Sequence, residues 1–440
     1  MKNRFLHVFI TAVYGSILMI VYIIEISDRW AYTGFKQIDS LLAALISISA
    51  VVLFSAFIPY RFDTRSFLLT VTHYSFLIPS FIILASNGLN SEYFGVLLLA
   101  YLLLFSLSAL PFRSFKMARF TKKTFLSIII FSLVLTVIIM AGFGGLKTFN
   151  LNVFRVYEFR REAATDLPKL FGYIFFGVSK VIAPMALALA LYFHSRFFLY
   201  ISIIMIIMLF GMTNHKSVLF LPLFVMIFYL ALLRTNNLLL IEYFFLGVAL
   251  VSISEISYLF LTESSEVGVY NTLIIRRGLF VPPLVDSMYL DFFSERGKLY
   301  WSTSKFGLGI ASNPYDLAAQ FVIGREYFGR EETSANAGII GSGFSHAGFI
   351  GVAVYSALAG LLLAFLQAYG RVIGHEFVSA ASLSVFMSVV TSTDFATAIF
   401  THGLLLLIIL LMLFPKKKNR TGKFSWDTND YPLQHSPPAR

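Results

Sequence analysis

Apolar residues in this chain come in long runs separated by short polar connections. Twelve of these runs meet or approach the roughly 20 residues that a helix needs to cross a hydrocarbon core: 6–24, 38–58, 67–86, 93–111, 124–143, 173–193, 197–212, 217–233, 237–261, 344–368, 377–393 and 398–414. Two connections are long, 144–172 and 262–337, and the stretch 415–440 is polar, holds Pro432, Pro437 and Pro438, and lacks apolar periodicity. The pattern predicts an all-α polytopic membrane domain over 1–414 with about 12 transmembrane helices and two large loops on one face. A polar tail, disordered by composition, follows it. The first run is preceded by Lys2 and Arg4 and has no small-residue cleavage site, so it reads as a retained helix.

Composition sharpens this picture. Hydrophobic residues make up 58% of the chain and charged residues 13%, outside the range of soluble domains. No cysteine is present, which excludes disulfides, thiolate metal sites and cysteine nucleophiles. The net charge of +11 does not point to nucleic acid, because the excess sits in short loops and after Phe414. With the N-terminus inside, Arg61, Arg65, Arg113, Arg196, Arg234, Arg371 and the run Lys416–Lys418 all fall on the inner side, while the short outer loops hold Arg29, Lys36 and Lys216. Both long loops then emerge outside.

Each long loop carries arginines where topology does not call for them. In 144–172 they are Arg155, Arg160 and Arg161 on a short predicted helix that also holds Tyr157 and Glu158; Glu158, Glu162 and Asp166 can simply pair with them. In 262–337 they are the adjacent Arg276 and Arg277, followed by Pro282 and Pro283 at a helix start. Leu284, Val285, Met288, Tyr289, Phe292 and Phe293 then fall on one helical face, with Asp286, Asp291 and Glu295 off it. That spacing predicts an amphipathic helix ending at Gly297, lying along a membrane surface or capping a cavity. Thr213 or Asn214 can cap the helix after the short outer turn, where Lys216 and free amides offer an anion site. Gly338, Gly341, Gly343, Gly348 and Gly351 mark the return of the long loop into the apolar region as either close helix packing or an irregular re-entrant segment, with His346 at its mouth as a base, a phosphate partner or an interfacial hydrogen-bonding residue. Of the intramembrane ionisable residues Lys180, Glu242, Glu255 and Asp394, only Lys180 is expected well within the bilayer.

Nucleotide-binding loops, dinucleotide fingerprints, zinc-protease motifs, nucleophile elbows and a DxD-like metal pair are all missing from the sequence. Three stretches resemble the O-antigen (Wzy-type) family of oligosaccharide repeat unit polymerases: Tyr157–Arg161 with Tyr173 and Pro184, TNHKSVLF from Thr213 to Phe220, and Arg276 through Tyr355 with its Asn336-Ala337-Gly338 turn. The resemblance implies a helical glycosyltransferase of the GT-C type in the bacterial inner membrane, without metal or cofactor, acting on undecaprenyl-diphosphate-linked oligosaccharides on the periplasmic face. A polysaccharide chain-length regulator is an implied partner. In such a reaction the diphosphate leaves, so Arg276 and Arg277 are expected on one lipid diphosphate, and Arg160 and Lys216 on the second lipid or the same one. Arg155, Arg161, Tyr157 and Asn336 complete the expected substrate contacts. The base for the acceptor hydroxyl is left open among Glu158, Asp286 and His346, the last a departure from the family pattern. An O-antigen ligase, with the same donor, and a lipid-linked oligosaccharide flippase are the alternatives. Against the flippase stand unequal loops and few intramembrane charges.

Overall fold

A computed structural model describes residues 2–115, 120–153, 155, 169–235, 237–263 and 267–415. All regular structure among them is helical. The principal helices are α1 (Arg4–Arg29), α2 (Leu41–Ser55), α3 (Thr64–Ser86), α4 (Ser91–Ser108), α5 (Lys122–Gly145), α6 (Ile174–Tyr192), α7 (Arg196–Thr213), α8 (Lys216–Thr235) and α9 (Leu239–Leu261). After the long loop come α10 (Val281–Glu295), α11 (Ala319–Phe328), α12 (Gly341–Ile373), α13 (His375–Thr391), α14 (Phe395–Phe400) and α15 (Leu404–Met412). Short polar side chains start many of them: Ser40, Asp63, Asn90, Thr121 and Ser195 each accept a hydrogen bond from the amide three residues on.

Among the described residues eight helices are long and apolar enough to cross a membrane, against the 12 spans expected; α2, α13 and the apolar part of α8 are shorter apolar helices. The last expected span, 398–414, is two pieces, because Gly403 turns the chain with φ +88° between α14 and α15. The nine residues of α15 reach only about 13 Å, less than half a hydrocarbon core.

Helix α3 is the most enclosed of the eight, with 94% of its apolar window buried, against 17% for α9. Its hydroxyls explain in part how polar residues are accommodated there. Thr72, Ser75 and Ser80 each donate back to the carbonyl four residues earlier, whereas the buried Ser66 and Thr70 hydroxyls and both His73 ring nitrogens have no hydrogen-bond partner among the described residues. Helix α12 packs along α4, α10 and α13, making the centre of the C-terminal half.

Three of the five π-turns are followed by proline: His73–Leu77 by Pro79, Val178–Ile182 by Pro184, and Asn271–Phe280 by Pro282 and Pro283. Proline cannot donate to the carbonyl four residues back and its ring crowds it. A wider turn, bonding to the fifth residue, relieves that clash without breaking the helix. Hence the helix expected to begin at Pro282 begins earlier: the π-stretch from Asn271 runs directly into α10, anchored where Glu255 accepts the amides of Tyr270 and Asn271 at 2.9 and 2.7 Å. Helix α10 ends at Glu295, near the expected Gly297, but it is not a surface helix. It packs against α12 and the Ile78–Ser86 part of α3, and the second side buries Asp286 completely.

At the opposite end, His7 on α1 meets Glu242 on α9, with Nδ1 2.5 Å from Oε1 and both side chains almost wholly enclosed. The ring's Nε2 donates to the Ser55 carbonyl at the end of α2, so one imidazole ties three helices. Removing one partner strands the other in an apolar interior. His7→Phe or Glu242→Leu alone is expected to cost about 3–5 kcal/mol, and the double replacement much less than the sum. Thermal unfolding of the purified variants measures this; single variants as stable as the parent would show that the pair carries no stability.

Candidate functional site

The glycine-rich return segment is an irregular one. Helix α12 breaks at Ala347 (φ −152°, ψ 31°) and Gly348 (φ +59°, ψ −138°), a combination that only glycine adopts without strain. The break removes the next-turn donors for the carbonyls of Ser345 and His346. Leu299 and Tyr300 of the preceding loop supply their amides instead, each at 2.9 Å. Gly343 and Gly351 meet backbone to backbone across it; a Cβ on Gly343 would lie 2.8 Å from the Gly351 oxygen.

This break sets His346 facing the turn between α13 and α14. Its Nε2 lies 3.2 Å from Asp394 Oδ2, the Tyr355 hydroxyl donates to the same oxygen at 2.6 Å, and the Thr397 amide donates to Oδ1 at 3.0 Å. Trp301 stacks on the His346 ring at 5.5 Å and 16°, and its Nε1 donates to the Tyr355 hydroxyl at 3.2 Å. Burial disfavours a charge on Asp394, but the hydrogen bonds from His346, Tyr355 and the Thr397 amide outweigh it and hold the carboxyl below the usual range. An ionised Asp394 accepts the Nε2 proton, which leaves the lone pair on Nδ1; Nδ1 is itself buried and has no hydrogen-bond partner among the described residues. A carboxylate-oriented imidazole with one free nitrogen is suited to take a proton from a hydroxyl.

Arg276 forms a separate centre. Its guanidinium lies over the Trp30 ring at 3.8 Å from the centroid, the side chain is 8% exposed, and Nε has no partner. Burial, then neighbouring Arg277, lowers its pKa against the opposing influence of Tyr32. Arg276 makes no ion pair among the described residues. The adjacent arginine separates from it: Arg277 is exposed, since neighbouring positions of a helix point in different directions.

Among the remaining expected site residues, Asp286 is fully buried and Oδ1 accepts the Gly341 amide at 3.0 Å, capping α12. Burial pushes its carboxyl well above the usual range, against the Gly341 hydrogen bond, and so favours its protonated form. Asn336 is exposed and accepts from Ser334, Arg155 is exposed, and Lys216 opens α8 half-buried. Tyr157, Glu158, Arg160 and Arg161 lie outside the described residues. No hydrogen bond or ion pair among the described residues joins Arg276 to His346 or to Asp286. Sequence reasoning singled out His346 but not its partners Asp394, Tyr355 and Trp301. Spacing carries no signal for a pair 48 positions apart. Groups of three or more histidine, aspartate or glutamate side chains able to hold a metal are absent among the described residues.

The raised Asp286 pKa means folding takes up a proton between the ordinary aspartate range and the raised value. Over that range wild-type stability falls as pH rises. Asp286→Asn, which keeps an acceptor for Gly341, is expected to flatten that dependence and to match or exceed wild-type Tm at pH 7. Thermal unfolding between pH 5 and 8 reads this, and a pH-dependence identical in the variant would count against the neutral-cap assignment. No family model, no curated protein and no solved structure matches the chain.

Proposed function

We propose that the chain is an oligosaccharide repeat unit polymerase of the O-antigen type, set in a bacterial inner membrane with both termini cytoplasmic and the long loops periplasmic. It transfers a growing glycan from undecaprenyl diphosphate to an incoming lipid-linked repeat unit. The observation that carries this reading is Arg276: a nearly buried guanidinium, stacked on Trp30, with an unused Nε and no carboxylate partner among the described residues. A buried cation without a counter-charge is costly, and an anionic ligand removes that cost. Arginine's planar fork matches phosphate oxygens, and the indole holds the fork in one orientation.

In the reaction, the bond from the sugar's anomeric carbon to the diphosphate oxygen breaks, and its electron pair stays on the diphosphate. The acceptor hydroxyl oxygen forms the new glycosidic bond and loses its proton to His346 Nδ1, which Asp394 orients and balances electrostatically. Arg276 stabilises the charge that builds on the leaving diphosphate, by ~3 kcal/mol for a well-placed donor. Arg277, exposed beside it, adds field at longer range. Asp286, enclosed and favoured in its protonated form, supports the His346 segment by capping α12 and takes no proton from substrate. A polysaccharide chain-length regulator fits this reading as a partner.

Arg276→Ala is expected to lower polymer synthesis by roughly 10²–10³-fold, Arg276→Lys by less, and Arg277→Ala least. The test is a gel of surface polysaccharide from a deletion strain of the source bacterium carrying each variant at equal membrane level. A ladder that collapses to a single repeat in the deletion and in Arg276→Ala supports the polymerase. Loss of every repeat in the deletion points instead to a ligase or flippase, and an unchanged ladder in the deletion rules polymer synthesis out.

A further inference from the structure

Lys180 is a second cation without a carboxylate, and it stands on a helix that is otherwise apolar. It is the seventh residue of α6, about 9 Å along the helix from Ile174, inside a segment long and apolar enough to cross a membrane. Its ammonium donates to Ser388 Oγ at 3.0 Å and makes no ion pair among the described residues. Ser388 in turn shares a 2.6 Å hydrogen bond with Thr393. Beside the ammonium, the Phe176 ring lies 5.8 Å away and carries His402 stacked on it at 4.6 Å and 10°. His402 Nδ1 is engaged by the Thr401 hydroxyl at 2.8 Å, and Nε2 has no hydrogen-bond partner among the described residues.

The backbone around this cluster is irregular on both sides. Lys180 sits within the π-turn Val178–Ile182, followed by Pro184, and His402 sits in the break between α14 and α15. The two irregularities touch: a Cβ on Gly403 would lie 2.6 Å from Val181 Cγ2 and 3.4 Å from the Gly177 Cα. Non-helical backbone at membrane depth persists where it is enclosed by protein or lines a polar cavity, and paired broken helices commonly form ion or headgroup sites. Large apolar side chains on the same elements are open at the surface: Ile174, Phe400 and Leu405 are 42%, 50% and 45% exposed. These side chains give the elements that carry the cluster an apolar outer surface.

We propose that Lys180, with His402, Ser388 and Thr393, binds the phosphate head of a lipid whose hydrocarbon tail lies along the Ile174, Phe400 and Leu405 surface. An ammonium, an imidazole nitrogen and two hydroxyls supply donors for phosphate oxygens, while the apolar outer surface favours a phosphate attached to a lipid over one free in water. Thr393 faces this cluster and its neighbour Asp394 faces His346, so a headgroup contact adjoins in sequence the carboxylate that orients the imidazole. Lys180 is thus the phosphate contact of a lipid-linked substrate, distinct from Arg276; this identification of the lipid rests on the polymerase reading.

The experiment is binding to the purified full-length protein in nanodiscs, read by native mass spectrometry. The probes are a polyprenyl diphosphate, the corresponding polyprenol and inorganic pyrophosphate. Lys180→Met is expected to weaken polyprenyl diphosphate binding at least tenfold, Lys180→Arg to retain it, and Arg276→Ala to leave a Lys180-dependent component. Polyprenol is expected to bind weakly and equally to all of them. If Lys180→Met does not fold, the separate replacements His402→Phe and Thr393→Val are expected to weaken the same binding. Lys180-independent binding, polyprenol binding as tight as the diphosphate, or pyrophosphate binding as tight as the lipid would each overturn the proposal. Because the assay contains no acceptor sugar, Lys180-dependent binding alongside an unchanged polysaccharide ladder in the deletion strain would refute polymerisation and leave the headgroup site standing. Lys180-independent binding alongside an Arg276-dependent ladder would do the reverse.

Discussion

A backbone that enters an apolar bundle has to satisfy its own amides and carbonyls, and the fold of this chain depends on how it does so wherever a helix is interrupted. At Ala347–Gly348 the carbonyls freed by the break are taken by Leu299 and Tyr300, which fixes the loop before α12 to the helix itself. At the start of α12 a side chain does the same work, since Asp286 accepts the Gly341 amide. At Asn271 it is Glu255 of α9. Each repair joins segments distant in sequence, and the His346 cluster owes its geometry to the first of them.

Charge is divided between the two ends of the bundle in a way that separates structure from chemistry. Near the start of α1, His7 and Glu242 engage each other and hold three helices together. Beyond the other end of α1, some 23 residues and about 34 Å further along, Arg276 rests on Trp30 with no acidic partner among the described residues. A paired charge in an enclosed site contributes register, whereas an unpaired one is tolerated where a ligand completes it. Among the described residues Lys180 and Arg276 are of the second kind, and the Asp394 carboxylate is already committed to His346 and Tyr355.

The glycines and prolines were more informative than the hydropathy profile about where these sites form. Gly348 and Gly403 mark the breaks that position His346 and His402, and Pro79, Pro184, Pro282 and Pro283 follow wide turns that reshape α3, α6 and the entry to α10. Hydropathy could not separate the enclosed α3 from the peripheral α9, because leucines that face lipid and leucines that face protein are chemically the same. It also placed Asp286 off the apolar face of α10, since a periodicity argument assumes one buried side and this helix has two.

The sequence by itself determined that the chain is helical and apolar enough for a membrane, where most of the helices fall within a few residues, that the return segment either packs closely or is irregular, and that His346 and the Arg276-Arg277 pair were worth attention. These properties follow from local composition and from residues whose backbone preferences act on their immediate neighbours. Only the tertiary structure decided that α15 is too short to span, that Arg276 is enclosed while Arg277 is not, that Asp286 is a buried cap, and that Asp394, Tyr355 and Trp301 surround His346. Those outcomes depend on which helices lie side by side. Pairs such as His7 with Glu242, or Lys180 with Ser388, are separated by 235 and 208 positions, and no local pattern encodes a contact at that range.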